Sequence, residues 1–144
     1  MKPWLCEAGQ TLREQINNAY PDRDKTSDGW VADARHMSQG NSDHIPAAPT
    51  AVVRGCDIDR DLSGRPKPDI MPYLADQLRL CAKNKQDGGR LAYIIFDGKI
   101  ASPKKNWAFR KYTGSNSHTH HMHISFTPKG DKDGKKFAIP LLEG

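Results

Sequence analysis

The six residues His121-Met122-His123-Ile124-Ser125-Phe126 constrain the fold more than any other stretch of the chain. Polar and apolar side chains alternate along them, the period of a strand with one buried face. Met122, Ile124 and Phe126 share the face that turns to the core. His121, His123 and Ser125 share the other. With a rise of ~3.4 Å per residue, the two imidazoles stand about 7 Å apart on that face. One of them can bind a metal while the other reaches a water beside it.

Four of the six histidines fall between residues 118 and 123; the others are His36 and His44. A purification-tag-like run would be uninterrupted and terminal, whereas this cluster is internal and interrupted. It reads as a metal site, and a catalytic zinc is the ion of choice. Such a zinc takes three protein ligands and keeps one position open. The remaining ligands must come from elsewhere. His44, in Ser42-Asp43-His44-Ile45-Pro46, is one candidate. Asp57, at the end of an apolar run, is another, because an unpaired carboxylate there is costly to bury. Asp59 and Asp61 follow at alternate positions and compete for the role. A calcium loop on Asp57, Asp59 and Asp61 lacks the glycine and terminal glutamate such loops need.

The surrounding sequence predicts an α+β domain: a small, mostly antiparallel sheet with flanking helices and long loops. A helix is expected over 11–20, with Thr11 and Glu14 as a capping box and Leu12, Ile16 and Tyr20 facing the core. Residues 51–58 read as a strand. A second helix spans 69–84, with Ile70, Leu74, Leu78 and Cys81 on one face and Pro72 tolerated in its first turn. Strands are expected at 91–96 and 99–102, joined through the turn dipeptide Asp97-Gly98. The apolar tail 137–142 should pack back on the core. Residues 22–50 read as a long loop of the kind that carries function.

The chain has 144 residues, which suits a single domain over its whole length. No apolar run reaches transmembrane length, and the N-terminus lacks the apolar core of a secretory signal. Cys6, Cys56 and Cys81 are odd in number and widely spaced, so they read as buried thiols and not as a disulfide framework. The formal charge of +5 suits a polyanionic partner such as nucleic acid or an anionic cell wall.

These motifs together resemble a known group. The order His44…Asp57…His121-x-His123, with Ser42 two residues before the first histidine, is similar to the LAS-type zinc peptidases, which include lysostaphin-like endopeptidases and D-Ala-D-Ala carboxypeptidases. The stretches Asp24-Lys25-Thr26-Ser27-Asp28-Gly29-Trp30, 42–46 and 114–125 resemble the peptidase domains of actinobacteriophage endolysins. The resemblance extends from Trp4 to about Ile139. It implies zinc held by His44, Asp57 and His123, with His121 as catalytic base; some members of the group place the base three residues before the ligand, here His120. The thirteen residues from His44 to Asp57 are more than the wider group uses, so part of 46–50 must loop out and Asp59 stays a rival to Asp57. Arg35, Ser42, Tyr112, His118 and His120 are candidates for substrate contacts, with His118 or His120 stabilising an oxyanion. Trp30 and Trp107 are candidates for the cleft wall or the core.

The implied activity is zinc-dependent hydrolysis of an amide bond in the stem or cross-link peptides of bacterial peptidoglycan. The implied agent is a monomer that needs neither specific nucleic acid nor membrane insertion. It would be made in the host cytoplasm and released to the wall through a holin-type pore. Two other readings stand beside it. Removal of a terminal D-Ala is one. The other is a metal-dependent nuclease of the HNH kind, suggested by Asp43-His44-Ile45-Pro46 and the basic charge, although the second half of that motif is missing.

Overall fold

A computed structural model describes residues 2–30, 46–47, 49–114 and 116–143. Its elements in chain order are β1 (Trp4–Leu5), α1 (Glu7–Ala19), β2 (Val52–Val53), β3 (Gly55–Asp59), α2 (Met71–Lys83), β4 (Leu91–Phe96), β5 (Lys99–Ala101), β6 (Arg110–Lys111) and β7 (His121–Phe126). Five strands form one antiparallel sheet in the order β3-β7-β4-β5-β6. The short β1 and β2 pair with each other in parallel. The α+β expectation therefore holds.

The interior strand β7 has the predicted limits, and its alternation sets the two faces of the sheet. Cys56 pairs with Ile124 and Ile58 with Met122, while Ile94 faces Ile124 from the other side. Directly paired residues of antiparallel strands put their side chains on one face. These side chains are all almost wholly buried, and they join Leu12 and Ile16 of α1 and Leu74, Leu78 and Cys81 of α2 in one core. The opposite face carries Asp57, Asp59, His121, His123, Ser125 and Tyr93.

Three expectations are corrected. Helix α1 begins at Glu7, one turn before the expected start, and Thr11 caps nothing: its hydroxyl donates to the Gly134 carbonyl at 2.8 Å. The early start was hidden by Gly9, a poor helix former. It is kept because a Cβ there would lie 2.9 Å from Leu5. The run 51–58 is two strands, broken at Arg54, whose guanidinium forms a two-point ion pair with Asp131 at 2.8 and 2.7 Å. Helix α2 is a residue or two shorter at each end than 69–84, with Ile70 at its N-cap.

The turn at Asp97-Gly98 forms as expected, with φ of 55° and 73° at the two positions. These left-handed values suit the asparagine-, aspartate- and glycine-rich turns that match hairpin twist. The tail docks through Gln15, whose amide accepts from Phe137 N at 2.9 Å and donates to Phe137 O at 3.0 Å. Phe137 and Ile139 are buried. All three cysteines are buried free thiols. Burial pushes the Cys6 thiol up to about 11, which keeps it protonated and unreactive. Trp107 is a core residue. No helix among the described residues is long and apolar enough to cross a membrane.

Candidate metal centre

The polar face of the sheet concentrates the chemistry-bearing side chains. Asp57 on β3 is the direct cross-strand partner of His123 on β7. Its Oδ1 lies 3.0 Å from His123 Nδ1, and its Oδ2 lies 3.6 Å from His121 Nε2. The other nitrogen of His123, Nε2, is 2.7 Å from Ser125 Oγ. When Nε2–H donates to that hydroxyl, Nδ1 presents its lone pair toward Asp57. An outer hydrogen bond of this kind fixes ring orientation and tautomer in metal-binding histidines. Tyr93, across from Ser125 on β4, stacks on the His123 ring with centroids 5.6 Å apart and 28° between planes.

His118 completes the group from the segment leading into β7. A nitrogen of His118, a nitrogen of His123 and an oxygen of Asp57 all lie within 4.8 Å of one another. The His118 ring meets that of His121 edge-on at 4.9 Å and that of Tyr112 at 5.9 Å. Its Nδ1 is buried and has no hydrogen-bond partner among the described residues. Burial, reinforced by the neighbouring His123 and His121, lowers the imidazole pKa to about 4. At neutral pH His118 is therefore a neutral ring, the form that donates to metals.

The donor set fits zinc. Bonds of about 2.0–2.1 Å at tetrahedral angles separate ligand atoms by roughly 3.4 Å. Asp57 Oδ1 and His123 Nδ1 are 3.0 Å apart, and the donor atoms of Asp57, His123 and His118 all lie within 4.8 Å of one another, so small side-chain adjustments bring the three to one ion. Imidazole and carboxylate are both zinc ligands. An orphaned buried nitrogen beside them is the kind of group that a metal satisfies. The Asp57 and His121 side chains keep about a fifth of their surface, 19% and 18%, so solvent reaches the group.

The rival carboxylate has a different task. Asp59 is buried, and it accepts the Ser27 amide at 2.8 Å and the Asp61 amide at 2.9 Å. It gathers with Asp24 and Asp61 in a group separate from that of Asp57, His118 and His123. His120 is exposed and lines a small cavity of about 190 Å³ over that acidic trio. His121, by contrast, stands beside Asp57, its Nε2 3.6 Å from Oδ2. Trp30 lies at the edge of a shallow depression with Arg13, Asp28 and Gly29. His44, Arg35 and Ser42 lie outside the described residues.

Sequence reasoning assigned His118 to substrate contact, and the geometry brings it to the candidate ligands. It did not find Tyr93, which reads as an ordinary strand aromatic. The signal was present in principle: the strand partner of β7 had to place some side chain over the His123–Ser125 face. No family model, curated protein or solved structure matches the chain.

Proposed function

We propose that the chain is a zinc-dependent hydrolase of peptide bonds in bacterial peptidoglycan. The observation that carries the reading is the convergence of Asp57, His123 and His118 on one small volume, with His121 alongside. Asp57 and His123 would hold the ion, and an imidazole, His44 or His118, would complete the ligand set. Zinc, when bound, supplies Lewis-acid polarisation of a carbonyl and acidifies water toward neutral pH. The chain's own groups do the rest. Asp57 orients His121 through its second oxygen. His121 takes up the proton from the attacking water and returns it to the leaving amine. Ser125 and Tyr93 keep the His123 ring from turning. The resemblance to endolysin peptidases supports a peptide of the cell wall as the substrate, and the charge of +5 suits that anionic polymer.

The test is digestion of purified peptidoglycan, with fragments read by mass spectrometry. New stem-peptide termini should appear, vanish with chelator and return with zinc. Loss of a single terminal alanine would make the enzyme a carboxypeptidase. Nicking of plasmid DNA without release of wall fragments would overturn the reading.

A further inference from the structure

His118 lies in a segment without regular secondary structure, yet its neighbours hold it from two sides. Asp97 N donates to His118 O at 3.0 Å and Gly98 N to Ser117 O at 2.7 Å. Arg60 N donates to His120 O at 3.0 Å, and Arg60 Nη1 to Thr119 O at 3.1 Å. The four carbonyls from 117 to 120 are thus all engaged by two fixed points, the β4–β5 turn and the residue following β3. His118 itself has a φ of 57°. Histidine is among the residues that enter this left-handed region more readily than most, and here the four carbonyl contacts hold it there.

One guanidinium joins the two fixed points. Arg60 Nη1 also donates to Asp97 Oδ1 at 2.9 Å, which ties down the turn that grips His118. Its Nε and Nη2 hold Asp69 in a two-point contact at 3.0 and 2.6 Å, and the guanidinium carbon lies 4.8 Å over the Phe96 ring. The planar fork is therefore locked by a carboxylate on one edge and an aromatic face beneath. Its remaining donor bridges the turn and the histidine segment. Lysine cannot match this arrangement, since it has no rigid fork.

We infer that Arg60 is a positioning residue that holds His118 in its left-handed conformation against Asp57 and His123, making His118 a ligand of the ion. The inference rests on the metal-site reading above and deepens it. Arg60 touches neither the ion nor the substrate; it acts through the Thr119 carbonyl and the Asp97-Gly98 turn.

The experiment is titration of the full chain with Co²⁺, whose visible absorption reports the ligand set. Arg60→Met is compared with His118→Ala and with the double variant. Arg60→Met should weaken Co²⁺ binding about 10–100-fold, the range for loss of an outer partner of a metal ligand, and shift the spectrum toward that of His118→Ala. In the His118→Ala background Arg60→Met should change neither affinity nor spectrum, because the two act as one unit. Arg60→Lys should fall between wild type and Arg60→Met. If Arg60→Met does not fold, Asp97→Asn, which keeps the backbone donor and removes the ion pair, should give a smaller shift in the same direction. An unchanged spectrum in the Arg60 or Asp97 variant, or equal weakening with and without His118, overturns the inference while leaving the metal site standing. Failure of the wild-type chain to bind Co²⁺ or Zn²⁺ overturns both.

Discussion

Asp57 and Asp59 lie two residues apart on one strand, on one face, opposite His123 and His121 respectively. They nevertheless have different surroundings. Both oxygens of Asp59 are engaged by backbone amides of Ser27 and Asp61, and the residue is 4% exposed. Asp57 keeps a fifth of its side chain accessible and points both oxygens at imidazoles. The cause is the segment that laps over β3. At Asp59 it supplies an amide donor, and Asp28 reaches back to accept the Asp59 amide at 2.7 Å. At Asp57 it presents Gly29, which pairs only through its backbone and where even an added Cβ would meet nothing within 4 Å. A pairing made through backbone alone leaves one carboxylate open, and a turn of amides consumes the other.

Substituting the two acids tests that contrast most strongly. Asp57→Asn removes the charge and a ligand oxygen. Loss of an outer partner alone costs about 10–100-fold in metal affinity, so a lost ligand should exceed that and take hydrolysis to background. Asp59→Asn should leave zinc content unchanged. It keeps one acceptor oxygen and strands one buried amide, at a cost of about 1–3 kcal/mol in urea unfolding. Elemental analysis of the dialysed proteins decides the matter. Zinc loss in Asp59→Asn with retention in Asp57→Asn would reverse the assignment.

His121→Ala probes the cross-strand partner of the closed acid, which leans toward the open one. Its ring should act on protons and not on the ion, so zinc content should stay and turnover fall about 10²–10⁴-fold, the usual worth of a general base. Zinc loss in this variant would show that ligand and base had been exchanged.

The parts legible in the sequence are those fixed by local period. The alternation of 121–126 gives the strand limits and both faces, and puts His121 and His123 on one of them; the pairing of that face with Asp57 on β3 is supplied by the structure. Asp97-Gly98 announces its turn in two residues. What could not be read depends on contacts distant in sequence. No spacing rule distinguishes Asp57 from Asp59, because the answer lies in a segment thirty residues away that covers one and spares the other. His118 looks like a loop residue until the Asp97-Gly98 turn and Arg60 are seen holding its backbone. Gly9 conceals a helix turn locally and is explained only by Leu5 packed against it.

The smallest expected effect separates the two clusters by pH. In the acidic trio the shifts run in opposite directions. Asp24 is held below the usual carboxylate range by the hydroxyl and amide of Thr26, whereas Asp61 is raised, first by desolvation and then by the charges of Asp59 and Asp24. A depressed folded-state pKa contributes stability that is present above the unfolded value and lost as pH falls through the folded one. A raised one does the reverse: ionised Asp61 works against the fold at neutral pH, and that penalty disappears as the group protonates. Asp61→Asn should therefore raise the neutral-pH melting temperature slightly. The gain should shrink with added salt, because the group lies near the surface where charges are screened, and vanish once the pH is low enough to protonate Asp61 in the parent. A neutral-pH loss of stability in Asp61→Asn would mean that its carboxylate is held by partners as Asp59 is. The division between a closed acidic trio and an open acid–imidazole group would then rest on Asp57 alone.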